Sequence, residues 1–215
     1  MSENLSNEFL RATRFGNVRI LPFCTAAAID RLELDSGFAV GGENRSLIGG
    51  RESLSLQAEL PDANVVLAIS SDNRIIGIGI LAYPEPGERW VDLGPQIMME
   101  VRAIEVVRQR RSAGIAAGML AAMLADPRSD DKIVYMVGYS WTWDLRGNGL
   151  TAVQYRRMLV NLFKPHGFEE YQTNEPNICL RPENLFLCRI GKNITRVILD
   201  RFKWLRFGLS PWKWV

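Results

Sequence analysis

Between Val106 and Ala116 the chain reads VVRQRRSAGIA. Arg108, Arg110 and Arg111 bring positive charge, and Ser112, Ala113, Gly114 and Ala116 keep the backbone uncovered. That combination suits an anion that must come close to the main chain. A helix beginning here adds unpaired N–H groups and a partial positive charge. Val106, Val107, Arg111, Ser112, Ala113, Gly114, Ile115 and Ala116 are therefore the candidate binding residues, a cradle for a pyrophosphate. An ordinary basic strand-to-helix turn has the same composition, so the flanks must decide. Other groups capable of chemistry are the carboxylates Glu100 and Glu105 just upstream and, downstream, the run Tyr139, Trp141, Trp143 and Asp144. His166 is the only histidine. Dyads and metal clusters built on histidine therefore have almost nothing to work with, and no metal is expected.

The flanking elements fit a cradle. Val101, Ile104, Val106 and Val107 are β-branched residues suited to a buried strand. Ile115, Met119, Leu120, Met123 and Leu124 share one face of a helix that Pro127 stops. Lys132–Gly138 (KIVYMVG) reads as the next strand, so strand, helix and strand form a right-handed parallel crossover. Residues 16–23 read as a strand closed by Pro22, and Ala26–Leu34 as a helix. The Gly-rich stretch Asp35–Ser53 reads as a mobile loop of the kind that shapes substrate entry, or as a plain connection. Residues 64–70 and 74–83 form a hairpin around Ser71-Asp72-Asn73. Gly77 to Ala82 spells G-x-G-x-x-A, but inside a strand, where a dinucleotide fingerprint cannot work. Residues 151–164 form an amphipathic helix with Thr151 and Gln154 as a capping box. Residues 184–190 give the last strand, and Asn193 caps a final helix to Leu205. The tail WLRFGLSPWKWV follows, and its last eight residues are assigned to a partner.

Composition narrows the class. The chain has 215 residues, 47% of them hydrophobic and 23% charged, and a net charge of +2. That balance does not indicate a nucleic-acid protein. The polar first ten residues are not a signal peptide, and no apolar run is long enough to span a membrane. Cys24, Cys179 and Cys188 are scattered and odd in number, as in a reduced cytoplasmic protein. Membrane association is not expected, and the oligomeric state is not legible.

With these residues in place, the segment from Met99 to Asp126 resembles the acyl-CoA signature of the GNAT acetyltransferase superfamily, [RQ]-x-x-G-x-[GA] at a helix start. Arg111, Gly114 and Ala116 fill its defined positions. Phe163-Lys164-Pro165-His166-Gly167-Phe168 resembles a second motif, Y-x-x-x-G-F, with Phe163 where many members keep the tyrosine assigned to protonating the thiolate. Glu88-Arg89-Trp90, Tyr139-x-Trp141-x-Trp143-Asp144-Leu145, Asn174-Glu175-Pro176 and Arg189-Ile190-Gly191-Lys192-Asn193 extend the resemblance to the acetoin-utilisation acetyltransferase family, over residues 60–207.

The resemblance implies one α/β domain of the GNAT fold: a mixed, mostly antiparallel sheet with splayed parallel strands and flanking helices. Residues 1–60 would be its N-terminal part, 61–192 the catalytic core, and 193–215 a helix and tail. It implies acetyl-CoA as cosubstrate and a protein lysine as acceptor, the associated protein being acetyl-CoA synthetase. A small amine as acceptor and a catalytically weak, inhibitory acyl-CoA-binding protein are the alternatives. A lysine amine of pKa about 10.4 must lose a proton, at roughly 4 to 5 kcal/mol at neutral pH, so a base is required. Glu105 is the first choice because it lies nearest the cradle, followed by Glu100 and Asp144. Tyr139, Trp141 and Trp143 are expected on the acceptor side, Asp144 guiding the ammonium, although two core tryptophans would give the same pattern.

Overall fold

The computed structural model describes residues 8–38 and 49–214. Residues 39–48 of the Gly-rich stretch, with Gly41 and Gly42, lie outside them. In chain order the regular elements are β1 (Phe9–Thr13), β2 (Gly16–Leu21), α1 (Ala26–Asp30), β3 (Glu33–Leu34), α2 (Arg51–Ala58), β4 (Asn64–Ile69) and β5 (Arg74–Ala82). Then come β6 (Met98–Val106), α3 (Ile115–Leu124), β7 (Ile133–Gly138), α4 (Leu145–Asn148), α5 (Ala152–Phe163), β8 (Glu169–Glu170), α6 (Pro176–Cys179), β9 (Leu185–Ile190) and α7 (Arg196–Leu205). The strands pair in the order β1-β2-β4-β5-β6-β7-β9-β8, with β3 beside β5. The β1–β2, β2–β4, β4–β5, β7–β9 and β8–β9 pairs are antiparallel, and the β3–β5 and β6–β7 pairs are parallel. This is the mixed, mostly antiparallel sheet with flanking helices that the resemblance implied.

Residues divide into two compact units, Met1–Ala82 with Arg102–Asp126, and Tyr83–Val101 with Pro127–Val215. In the first unit the β4–β5 hairpin is wholly apolar on one side. Val65, Leu67, Ile69, Ile75, Ile78 and Ile80 bury themselves with Ile29 of α1 and Leu54 of α2. Glycines at 77 and 79 open the hairpin to α3: a Cβ on Gly77 would stand 2.8 Å from the sulfur of Met119, and one on Gly79 would collide with Met123. The expected helix over Ala26–Leu34 stops at Asp30, because Glu33 and Leu34 pair with Arg74 and Ile75 of β5. Several short elements escaped the sequence reading, two of them in this unit at its N-terminal end. One is β1, which pairs with β2 through Phe9↔Ile20 and Arg11↔Val18. The other is α2, which starts straight after the glycines and buries Leu54.

The second unit is built on aromatic packing. Trp90 stacks on Phe186 at 4.6 Å, Tyr135 tilts against both, and Phe202 of α7 closes the group. Its parallel ladder joins Met98, Met99 and Glu100 of β6 to Ile133, Val134 and Tyr135 of β7. Both strands run on past that ladder, β6 to Val106 and β7 to Gly138. The capping box on α5 is present: the Gln154 amide N–H donates to Thr151 Oγ1, and the Thr151 N–H to Gln154 Oε1 at 2.9 Å. The cap of α7 is Thr195, not Asn193. Asn193 instead donates its side-chain amide to Asp131 Oδ1 at 2.8 Å. In the tail, Trp212 packs on this unit's own core and donates its indole N–H to the Asp92 carbonyl at 3.2 Å.

Candidate active site

In the first unit β6 ends at Val106, and the Val107 N–H reaches the Ile76 carbonyl at 3.0 Å. A 3-10 turn over Arg108–Arg110 follows, then Ser112 at φ 58° and Gly114 at φ 73°. Both lie in the left-handed region, which a serine occupies only when its surroundings hold it there. Gly114 is the N-cap of α3 and gives it no side-chain cap, so the first-turn N–H groups are left for a ligand or water. These features fall within the segment that the sequence offered as the cradle.

Its candidate residues fall into two groups. Val106, Val107 and Ile115 are buried and anchor the segment. Ser112 is exposed, while Arg111, Ala113, Gly114 and Ala116 are half-buried. The Arg111 side chain turns back, its Nε donating to the Val106 carbonyl at 2.9 Å, which ties the turn to the strand end. Its own carbonyl accepts from Arg14 Nη2 at 3.3 Å. Arg14 and Arg110 clasp the Phe15 ring from 4.8 and 5.1 Å, so the β1–β2 turn is fastened onto the cradle loop. Sequence reasoning missed these contacts because β1 itself was unread. The short alternation F-L-R-A-T was the available signal. Glu105 sits half-buried in this unit, one residue before the strand end.

The other candidates belong to the second unit. Trp143 is 9% exposed and stacks on Tyr155 at 5.0 Å, a core tryptophan. Trp141 is 53% exposed; Tyr139 stacks on it at 4.7 Å and the Arg181 guanidinium lies over it at 5.2 Å. The pair therefore separates into one structural ring and one presented to solvent. Asp144 caps α4, accepting the Gly147 N–H at 3.0 Å. Burial raises the Tyr139 phenol above its ordinary value, and the negative charges of Glu175, Glu100 and Glu88 raise it further. Of the three expected bases, Glu100 is the one whose charge acts on Tyr139. Glu88 also accepts from the Tyr135 hydroxyl at 3.2 Å, and Glu175 pairs with Arg89 at 3.4 Å.

Phe163 is fully buried and packs edge-on against Phe168 at 5.0 Å, which makes it a core residue. His166 lies in the turn after α5, its basicity lowered by burial. The remaining motif residues are fasteners. Arg89 donates to Asn174 Oδ1 at 2.6 Å and to the Arg206 carbonyl at 3.2 Å. Arg189 and Lys192 both bind Asp130, at 2.6 and 3.1 Å, and hold its carboxyl below the usual range. Gly191 has no room for a side chain, since a Cβ would stand 2.6 Å from the Lys132 carbonyl oxygen.

No family model matches the chain. It is 31% identical over 156 residues to the acetoin utilization protein AcuA of Bacillus licheniformis, covering 73% of this chain and 74% of that one. The Bacillus subtilis AcuA is 32% identical over 157 residues, with the same coverage. The chain belongs to the AcuA family of acetoin utilization proteins. A crystal structure of an acetoin utilization protein from Exiguobacterium sibiricum superposes on this AcuA-family chain with a TM-score of 0.86, at 28% identity and over 94% of both chains. The ribosomal-protein-S18-alanine N-acetyltransferase of Escherichia coli shares the fold at a TM-score of 0.51 and 6% identity.

The uncapped helix start, the left-handed Gly114 and the basic surround suit an anion such as a pyrophosphate. Among the described residues no cluster of His, Cys, Asp and Glu could hold a metal ion, and no helix is long and apolar enough to cross a membrane.

Proposed function

We propose that this AcuA-family enzyme acetylates a lysine side chain of a protein, and that the protein is acetyl-CoA synthetase, which the modification silences. What supports the lysine is the negative charge of Glu175, Glu100 and Glu88 acting on Tyr139, whose ring stacks on the exposed Trp141. Arg89 pairs with Glu175 at 3.4 Å. Such a field favours a cation arriving from solvent, and an exposed tryptophan can line an alkyl-ammonium stem. A neutral or anionic acceptor would gain nothing from it.

Within this reading the cradle from Val106 to Ala116 positions the acetyl-CoA. The base is a carboxylate of β6, which takes the ammonium proton so that the neutral amine attacks the thioester carbonyl. The C–N bond forms, the C–S bond breaks and the thiolate leaves, while the acylated nitrogen sheds its second proton to solvent. The carboxylates around Tyr139 favour Glu100 for this role over Glu105, the choice the sequence suggested. Phe163 carries no proton to donate to the thiolate, so that proton comes from another group or from water.

The test combines the protein with labelled acetyl-CoA and purified acetyl-CoA synthetase, followed by peptide mapping and synthetase assay. One labelled lysine and loss of synthetase activity are expected. Label found only in small amines of a lysate would replace the protein acceptor with a metabolite. Synthetase inhibition without label would make the protein an inhibitory binder.

A further inference from the structure

We propose that Arg11, on β1, is a phosphate-binding residue of the acetyl-CoA cradle, a third wall supplied by the N-terminal hairpin. The proposal rests on the cradle assignment made above and adds a residue from 100 positions upstream of it, roughly, to the same anion. Its basis is where the guanidinium lies. A Cβ built on Gly114 would overlap Arg11 Nη2 and stand 2.9 Å from Cζ and 3.1 Å from Nε. One built on Gly118 would stand 3.3 Å from Arg11 Nη1. The Arg11 head group therefore lies across the first turn of α3, against the two residues of that turn that lack side chains.

The neighbouring arginines are committed to other work. Arg14 and Arg110 hold Phe15 and backbone carbonyls, and Arg111 spends its Nε on Val106. The Arg11 side chain has no hydrogen-bond or ion-pair partner among the described residues. A guanidinium held beside uncapped helix N–H groups repels their partial positive charge, so the arrangement calls for an anion between them. The planar fork of arginine suits two phosphate oxygens at once. The hairpin is placed for this by its own packing. Gly118 lets Ile20 of β2 come so close that a Cβ would stand 2.6 Å from Ile20 Cδ1. The clasp of Arg14 and Arg110 on Phe15 holds the turn beyond β1.

The experiment measures the affinity of the full chain for acetyl-CoA and for acetyl-pantetheine, which lacks the phosphates, in Arg11→Met and Arg11→Lys variants. Methionine keeps an apolar stem of similar length, and lysine keeps the charge without the fork. Arg11→Met should weaken acetyl-CoA about 10- to 100-fold, the range for losing a charge-assisted hydrogen bond. Arg11→Lys should fall between it and the wild type. Neither should alter the acetyl-pantetheine affinity. Native acetyl-CoA affinity in Arg11→Met, or an equal loss for both ligands, would overturn the assignment. Should Arg11→Met fail to fold, Arg11→Lys alone decides by the same comparison of ligands. Gly114→Glu, measured alongside, separates the two levels of argument. If it loses acetyl-CoA while Arg11→Met does not, only the role of Arg11 falls. If it too binds natively, the cradle falls with it.

Discussion

Replacing Gly114 tests the cradle most directly, because alanine adds only a Cβ there while glutamate adds further bulk and a negative charge. Both must adopt φ 73°, which a side chain tolerates at about 1–2 kcal/mol. In a chain of this length that lowers the melting temperature by roughly 2–8 °C. Both also push aside the Arg11 guanidinium, the flexible end of a side chain that can yield. Alanine stops there, and a loss of about tenfold in acetyl-CoA affinity is expected from crowding the backbone donors. Glutamate adds a negative charge at ~5 Å from a pyrophosphate, and one such pair costs about 3 kcal/mol at an effective dielectric constant of ~20. It also offers Arg11 a competing carboxylate. The expected further loss is about 10²-fold or more. Calorimetric titration with acetyl-CoA, with a thermal melt to verify folding, reads both terms. Equal affinities for folded Gly114→Ala and Gly114→Glu would mean that no anion sits at this helix start.

Other expectations follow from the second unit and the buried thiols. Glu100→Gln should lower the turnover rate by about 10²-fold with acetyl-CoA affinity intact, and Glu105→Gln should affect it less; the reverse order of turnover rates at pH 6–9 would restore Glu105 as the base. Trp143→Ala should destabilise by about 3–5 kcal/mol in thermal or denaturant unfolding, the usual range for a buried tryptophan. Trp141→Ala should keep the melting temperature and raise the KM for the acceptor; an equal loss of stability in both variants would remove the distinction. The Cys24 thiol, buried and donating to the Leu21 carbonyl, is pushed up from 9.0 to about 11. Between those values the unfolded chain binds fewer protons than the folded one, so stability should fall as pH rises from about 9 to about 11. A Cys24→Ala variant should lack that portion of the pH dependence in denaturant titrations, and an unchanged profile would refute the linkage.

Much of this was legible in the sequence, for physical reasons that differ by element. The central strand and α3 declare themselves because burial on both sides demands apolar residues at every inward position, as in Val101, Ala103, Met119, Leu120 and Met123. The capping box of α5 is a local device, so its two residues suffice to predict it. The short β1 is half exposed, and its placement comes from pairing with β2 and from arginine contacts more than ninety residues away in sequence. No local pattern carries that information. Trp141 and Trp143 show the same limit. Two residues apart, they look equivalent, yet a 3-10 turn over Ser140–Thr142 sends one into the core and leaves the other in solvent.

The rejected dinucleotide motif illustrates how one residue type serves two purposes in this fold. Gly77 and Gly79 do not contact phosphates; they lie in the middle of β5, where Met119 and Met123 of α3 press against them. Their lack of side chains lets α3 lie closer to the strand than a row of valines would permit, and Gly118 does the same toward β2. A helix so constrained along its length has its N-terminus fixed too, and a rigid donor set is what makes an anion site effective without reorganisation. Gly114 then performs the separate task of reversing the backbone at that end. The glycines of strand and helix are thus a mechanical support for the cradle. A pattern search finds the wrong phosphate motif in the first pair because sequence records the absence of a side chain and not what fills the space.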